Sequence, residues 1–341
     1  MKAILINREG TPVAENIIVG TWNDLSPKQN EVVVKTEASA LNHLDLWVGI
    51  GMPGLDLIYP RISGSDGCGI ISAVGENVDE SWIGKRVLLN AAVRQPEPVL
   101  PNCSNTQQDI RMIGEHDNGT NAEYFVAPVE NVLHVGDVDP VEAAAFGLAH
   151  LTAWRMLVTR SKLKAGQHVL ITGIGGGAAL AAFTICKHFG CKTIVTSRHQ
   201  WKLDRALELG ANEVVLDSGE DWSREVRRLT FKRGVDLCVD SVGGSLHHPC
   251  IKSLARGGTL VTCGCTAGAA PKTDLARIFW NQLSILGSTM GDMEEFKEVI
   301  SLFKNGMKPV IDSIYDADDA KSAFALLESG EQFGKVVLKW E

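Results

Sequence analysis

The sequence has no CxxC pair among its eight cysteines, no apolar run approaching the ~20 residues that a membrane helix needs, and no block of Lys or Arg. The first lack removes the usual paired-cysteine metal and redox spacings, and the second removes a helical membrane span. The third leaves a formal net charge of -8 with nothing local to offset it, so a nucleic acid would find little to hold. The chain opens in an apolar strand pattern, KAILIN, without a charged leader, apolar signal core or small-residue cleavage site. The expected location is therefore the cytoplasm. Low-complexity segments and internal repeats are absent as well. Several cysteines lie inside apolar strand or helix patterns and read as buried free thiols. Cys263 and Cys265 are expected to alternate across a strand, which disfavours joint metal ligation.

What is present describes an α/β protein. At 341 residues, with 45% apolar and 22% charged residues, the chain can bury the cores of two domains. Residues 1–138 read as short strands (2–7, 31–38, 69–74, 86–90) bounded by Gly, Pro, Asn or Asp, a β-rich domain. Residues 91–109 carry three prolines and no period, and read as a surface loop or lobe. From 139 to 289 the pattern changes. A helix over 141–159 is followed by strands near 169–172, 192–196, 213–216, 235–240, 259–263 and 284–288, with intervening helices that start near Trp201, Ser223 and Leu246. Six such strands describe a doubly wound parallel sheet. Residues 290–341 return to the first style and are expected to complete the first domain.

The chain is organised around residues 168–196, HVLITGIGGGAALAAFTICKHFGCKTIVT. A short strand, the cluster Gly173, Gly175, Gly176 and Gly177, a small-residue helix from Ala178 onward and a second strand make a nucleotide-binding βαβ unit. Glycine serves there because the tight turn needs φ > 0 and because a missing Cβ lets backbone N–H groups approach a pyrophosphate. Ala179 stands where a last glycine is often found, and is small enough for close helix packing. An ordinary glycine-rich turn is the plain alternative, and the flanking elements argue against it. The second strand ends in Ser197 and Arg198, with Lys202 one helical turn on. No carboxylate stands where the ribose of NAD would want one, so the expected cofactor is NADP(H).

These and other runs, LNHLDLWVGIG (41–51), YPRISGSDGCGIISAVG (59–75), LTAWRML (151–157), VDSVGG (239–244), GGTLVTCG (257–264) and FGKVVL (333–338), resemble the medium-chain dehydrogenase/reductase superfamily over essentially the whole chain. The resemblance implies a GroES-like distorted-barrel catalytic domain and a Rossmann cofactor domain inserted into it. Zinc-bearing members place Cys where Asn42 stands, a His-Glu pair where Ser65 and Asp66 stand, and a third ligand near Leu148. They also carry four close cysteines in a lobe that maps to 91–109, where only Cys103 is found. The departures make the expected metal content none.

The resemblance to the quinone-reductase branch implies that Asn42 contacts the nicotinamide-ribose region and that Trp47 lines the substrate pocket. It places Thr152, Gly264 and Thr266 at the nicotinamide, Gly243 beside the cofactor, and His43 and Lys335 within reach of its phosphates. Packing and helix capping are the plain alternatives for these residues, and Asp45 is expected to hold local backbone. The expected function is zinc-independent, NADPH-dependent hydride transfer to a small-molecule quinone, enone or carbonyl substrate. The alternatives are a metal-free alcohol or aldehyde dehydrogenase and a cofactor-binding protein without useful turnover. A homodimer is expected, because the apolar last strand of the parallel sheet needs cover.

Overall fold

The structure is a computed structural model that describes residues 1–52, 54–95 and 110–341. The chain forms two compact units, residues 1–148 with 292–341, and residues 149–291.

In the first unit, strands β1 (Lys2–Ile6), β2 (Ile17–Thr21), β3 (Glu31–Ala40), β4 (Arg61–Ile62), β5 (Gly67–Val74), β6 (Arg86–Leu89), β7 (Ala92–Arg94), β8 (Ile110–Met112), β9 (Tyr124–Pro128) and β10 (Val132–His134) surround one short helix, α1 (His43–Ile50). Helix α2 (Pro140–Trp154) follows. The segment 91–109 was expected to be a loop, yet β7 pairs with β8 at its start. Cys103 and the rest of that segment lie outside the described residues.

The second unit alternates β11 (His168–Ile171), α3 (Gly177–His188), β12 (Lys192–Ser197), α4 (Gln200–Glu208), β13 (Glu213–Leu216), α5 (Ser223–Leu229), β14 (Val235–Asp240), α6 (His247–Ser253), β15 (Leu254–Thr262), α7 (Leu275–Asn281) and β16 (Ser284–Gly287). Its six strands run parallel in the order β13-β12-β11-β14-β15-β16. The sheet is covered on both faces, so β11 and β14 are near-continuous apolar runs rather than alternating ones.

The chain then returns to the first unit through α8 (Met293–Lys304), β17 (Ile311–Asp316), α9 (Ala320–Ser329) and β18 (Lys335–Lys339). Strand β18 pairs antiparallel with β3, and β3 pairs with β5, within the sheet order β10-β6-β5-β3-β18-β17. This pairing closes the GroES-like domain.

The two compact units divide at Leu148/Ala149, inside α2. The first half of α2 belongs with the first unit because Phe146 stacks on Phe303 at 4.9 Å and the Leu148 N–H donates to Asp66 at 2.7 Å. Five of the cysteines, Cys68, Cys186, Cys191, Cys238 and Cys250, are free and buried. Cys263 and Cys265 lie beyond β15, which ends at Thr262, and residues two apart on a strand share a face, so the expected alternation does not hold.

Candidate active site

In the second unit the glycine cluster joins β11 to the start of α3. Gly175 has φ +117°, and a Cβ there would come within 2.8 Å of the Lys202 side chain. The turn therefore accepts glycine only, and Lys202, itself buried, runs its stem over it. Gly176 caps α3 without a side chain, which leaves the first-turn N–H groups of Gly177, Ala178 and Ala179 without intrahelical acceptors. Together with the helix dipole these N–H groups form an anion cradle. Ala179 is buried, as close packing requires.

At the end of β12, Ser197 is buried and its Oγ accepts the His199 N–H at 3.2 Å, while Arg198 is exposed. Asp240, which the sequence reading did not single out, organises the neighbouring strand ends. Its carboxylate accepts the Thr172 hydroxyl at 2.7 Å and the N–H groups of Val242 at 3.0 Å and Gly243 at 3.1 Å. Gly243, at φ +69°, lies against Gly264 and Cys265, where a Cβ would meet backbone at 3.0 Å. Thr266 donates its hydroxyl to the Val242 carbonyl at 3.3 Å. Thr152 is buried, and its hydroxyl has no hydrogen-bond partner among the described residues.

In the first unit the ends of three adjacent strands converge. Asn42 follows β3, Asp66 precedes β5 and Lys335 begins β18, with the Leu41 N–H donating to the Val336 carbonyl at 2.9 Å to fix the register. The Lys335 ammonium donates to Asn42 Oδ1 at 2.6 Å and to Asp66 Oδ2 at 2.8 Å, and Asn42 Nδ2 donates to Asp66 Oδ2 at 2.9 Å. Asp66 is 0% and Lys335 4% exposed, so this is a buried, hydrogen-bonded ion pair. Lys335 was expected to reach a phosphate; its charge is instead held by Asp66 and Asn42.

Below Asn42, the Asp45 carboxylate accepts the Asn42 backbone N–H at 2.7 Å and Asn121 Nδ2 at 3.3 Å. Asn121 also donates to Ser63 Oγ and accepts from Ser39 Oγ. Full burial pushes the Asp45 carboxyl up to about 6, opposed by the Asn42 N–H, the Ser63 hydroxyl and the Lys335 charge and reinforced by Asp66. Asp45 thus holds local backbone, as expected from the sequence, and is also part of a charged network that the sequence did not disclose.

His43 and Trp47 stack edge to face at 5.5 Å on the outer side of α1, and crowding of the His43 ring lowers its pKa, favouring the neutral imidazole. Tyr59 gives its hydroxyl to the Val48 carbonyl at 2.6 Å. Ser65 is buried, and its hydroxyl has no hydrogen-bond partner among the described residues. Among the described residues no group of three or more His, Cys, Asp or Glu side chains could hold a metal ion.

A parallel six-stranded sheet with a glycine turn at a helix N-terminus, in the same chain as a GroES-like unit, defines a nicotinamide-dependent oxidoreductase class. Comparison with known proteins agrees. Residues 28–137 match the alcohol dehydrogenase GroES-like domain family, and residues 177–305 the zinc-binding dehydrogenase family. A solved NAD-dependent alcohol dehydrogenase superposes with a TM-score of 0.90 at 35% identity, covering 100% of both chains. A zinc-type alcohol dehydrogenase-like protein of Leptosphaeria maculans is 29% identical over 92% of each chain. The quinone oxidoreductase of Homo sapiens is 25% identical over 92% of this chain and 90% of its own. The chain belongs to the medium-chain dehydrogenase/reductase superfamily.

Proposed function

We propose that the protein is a zinc-independent, NADPH-dependent oxidoreductase that transfers hydride to a quinone, an enone or a related carbonyl compound. The observation that carries the metal-free reading is the Lys335 ammonium bonded to Asn42 and Asp66. A cation already engages the two positions that match ligand-region residues of zinc-bearing relatives. Ser65 and Leu148 add no imidazole, thiolate or carboxylate, so these residues do not fit zinc.

The residues do fit a nicotinamide dinucleotide. The glycine turn and the open first turn of α3 suit its pyrophosphate, Ser197 and Arg198 suit a ribose 2′-phosphate, and the orphaned Thr152 hydroxyl suits a carboxamide. When bound, the reduced cofactor supplies the hydride. We assign Asn42 to the nicotinamide ribose and Trp47 to the substrate pocket. Gly243, Gly264 and Thr266 flank the cofactor, His43 and Lys202 act toward its phosphates, and Lys335 acts through Asn42. These residues orient the reactants and exclude water.

Reduction of a quinone or enone suits a metal-free site because the acceptor is already electrophilic. A second reading, alcohol or aldehyde oxidoreduction with NAD, is favoured by the solved relative described as an NAD-dependent alcohol dehydrogenase. Steady-state assays with NADPH against 9,10-phenanthrenequinone, a 2-alkenal and a simple aldehyde separate the two. Turnover of the quinone or alkenal is expected, and turnover of the aldehyde alone contradicts the first reading.

We also propose a homodimer built on β16. It is an edge strand, and beside it in sequence α7 leaves Leu275, Phe279 and Trp280 each about 70% exposed. No helix of the described residues is long and apolar enough to cross a membrane.

A further inference from the structure

The Asn42 amide is held at both ends by groups of opposite charge. Lys335 Nζ can only donate and lies 2.6 Å from Oδ1; ionised Asp66 can only accept and lies 2.9 Å from Nδ2. The second Nδ2 proton goes to the Ala40 carbonyl at 3.3 Å. Rotating the amide by half a turn would set its N–H groups against an ammonium and its oxygen against a carboxylate, so charge alone fixes the orientation. The other Asp66 oxygen accepts the Leu148 N–H at 2.7 Å, which holds the carboxylate in place. Asp66 and Lys335 are buried while Asn42 is partly exposed, so of the three it is Asn42 that can meet a ligand.

We propose that the Lys335–Asp66 pair is a positioning device that makes Asn42 a one-way hydrogen-bond acceptor, so that the ligand group it recognises is a donor such as a ribose hydroxyl. Both Nδ2 protons are engaged, and the Asp45 N–H at the start of α1 goes to the Asn42 main-chain carbonyl at 3.0 Å, so one lone pair of Oδ1 is what the side chain retains. A hydroxyl satisfies that lone pair; a phosphate oxygen or a quinone carbonyl is repelled by it. In this arrangement Asn42 reads the cofactor rather than the oxidised acceptor. The inference rests on the assignment of Asn42 to the nicotinamide ribose.

The test is a fluorescence titration giving Kd for NADPH and for two analogues in which fluorine replaces the 2′- or the 3′-hydroxyl of the nicotinamide-side ribose. The proteins are wild type, Asn42→Ala, Lys335→Arg and the double variant Lys335→Met/Asp66→Asn. The double variant removes both charges of the pair together, and thermal unfolding checks that each variant folds. Wild type is expected to bind one of the two analogues about tenfold more weakly than NADPH. That gap should persist in Lys335→Arg and close in Asn42→Ala. It should also shrink to about threefold or less in the double variant, where the freed amide can rotate and offer N–H to fluorine. A folded double variant that keeps the full gap overturns the positioning role while leaving the Asn42 contact standing. A full gap in Asn42→Ala overturns the contact itself, and the inference with it.

Discussion

Three side chains of the first unit, Asn42, Asp66 and Lys335, form one hydrogen-bonded network, and the Asp45 carboxyl lies in the same network. Full burial pushes the Asp45 carboxyl up to about 6, from an ordinary carboxyl value of 3.8. A raised acid pKa means that the folded state binds the proton more tightly, so the associated stability is complete below about pH 4 and is lost as pH rises through 6. The difference of about two pH units corresponds to about 3 kcal/mol. Urea denaturation of wild type and Asp45→Asn at pH 4.5 and 7.5 should show the variant gaining most of that amount, relative to wild type, at the higher pH. A difference that is the same at both pH values contradicts the assignment. Removing Lys335 alone strands the Asp66 charge: Lys335→Met should cost about 3–5 kcal/mol, and the double variant with Asp66→Asn clearly less. In the second unit, Arg198→Asp should shift the ratio of NADPH to NADH affinity by about tenfold or more toward NADH. An unchanged ratio removes Arg198 from the phosphate site.

Asn42 and Lys335 were both visible in the sequence as polar residues in suggestive runs. Their contact was not, because it joins residues 293 positions apart through the β18–β3 pairing, which no local pattern encodes. Asp66 stood out only as a departure from a zinc pattern, and Asp240 not at all, since a carboxylate at a strand end reads as an ordinary terminus.

Among the elements, the alternating strands and helices of residues 168–288 were legible because buried parallel strands are short apolar runs punctuated by glycine. Strands β13 and β14 fall where the pattern puts them. The short strands β7 and β8 were not legible, because three-residue pairs carry no measurable period. Helix α7 was missed for the opposite reason: Leu275, Phe279 and Trp280 face outward, so its apolar residues do not mark a buried stripe. The turn from β11 into α3 makes the sharpest prediction at this scale. An alanine at Gly175 must adopt φ +117° and push against Lys202, so Gly175→Ala should weaken NADPH binding by about tenfold or more in a titration. Binding within twofold of wild type would contradict the cradle.

At the scale of the whole molecule, the chain leaves its first unit within α2 and returns to it after β16, so one Rossmann unit is inserted into a GroES-like unit. Composition and strand style suggest such a return over residues 290–341. No change in composition marks where α2 divides, because its two halves differ chiefly in what they pack against. The exposed face of α7 and the edge strand β16 predict self-association: light scattering should give a dimer mass, and Phe279→Glu/Trp280→Glu should shift it to the monomer. A monomer mass for wild type rejects the interface.

The central claim is that Lys335, Asp66 and Asn42 form a site that works without a metal. It is tested most directly by the rate of NADPH-dependent 9,10-phenanthrenequinone reduction before and after exhaustive dialysis against 1,10-phenanthroline. The expected result is an unchanged rate that added zinc does not raise; loss of activity on chelation, with recovery on zinc addition, would contradict it.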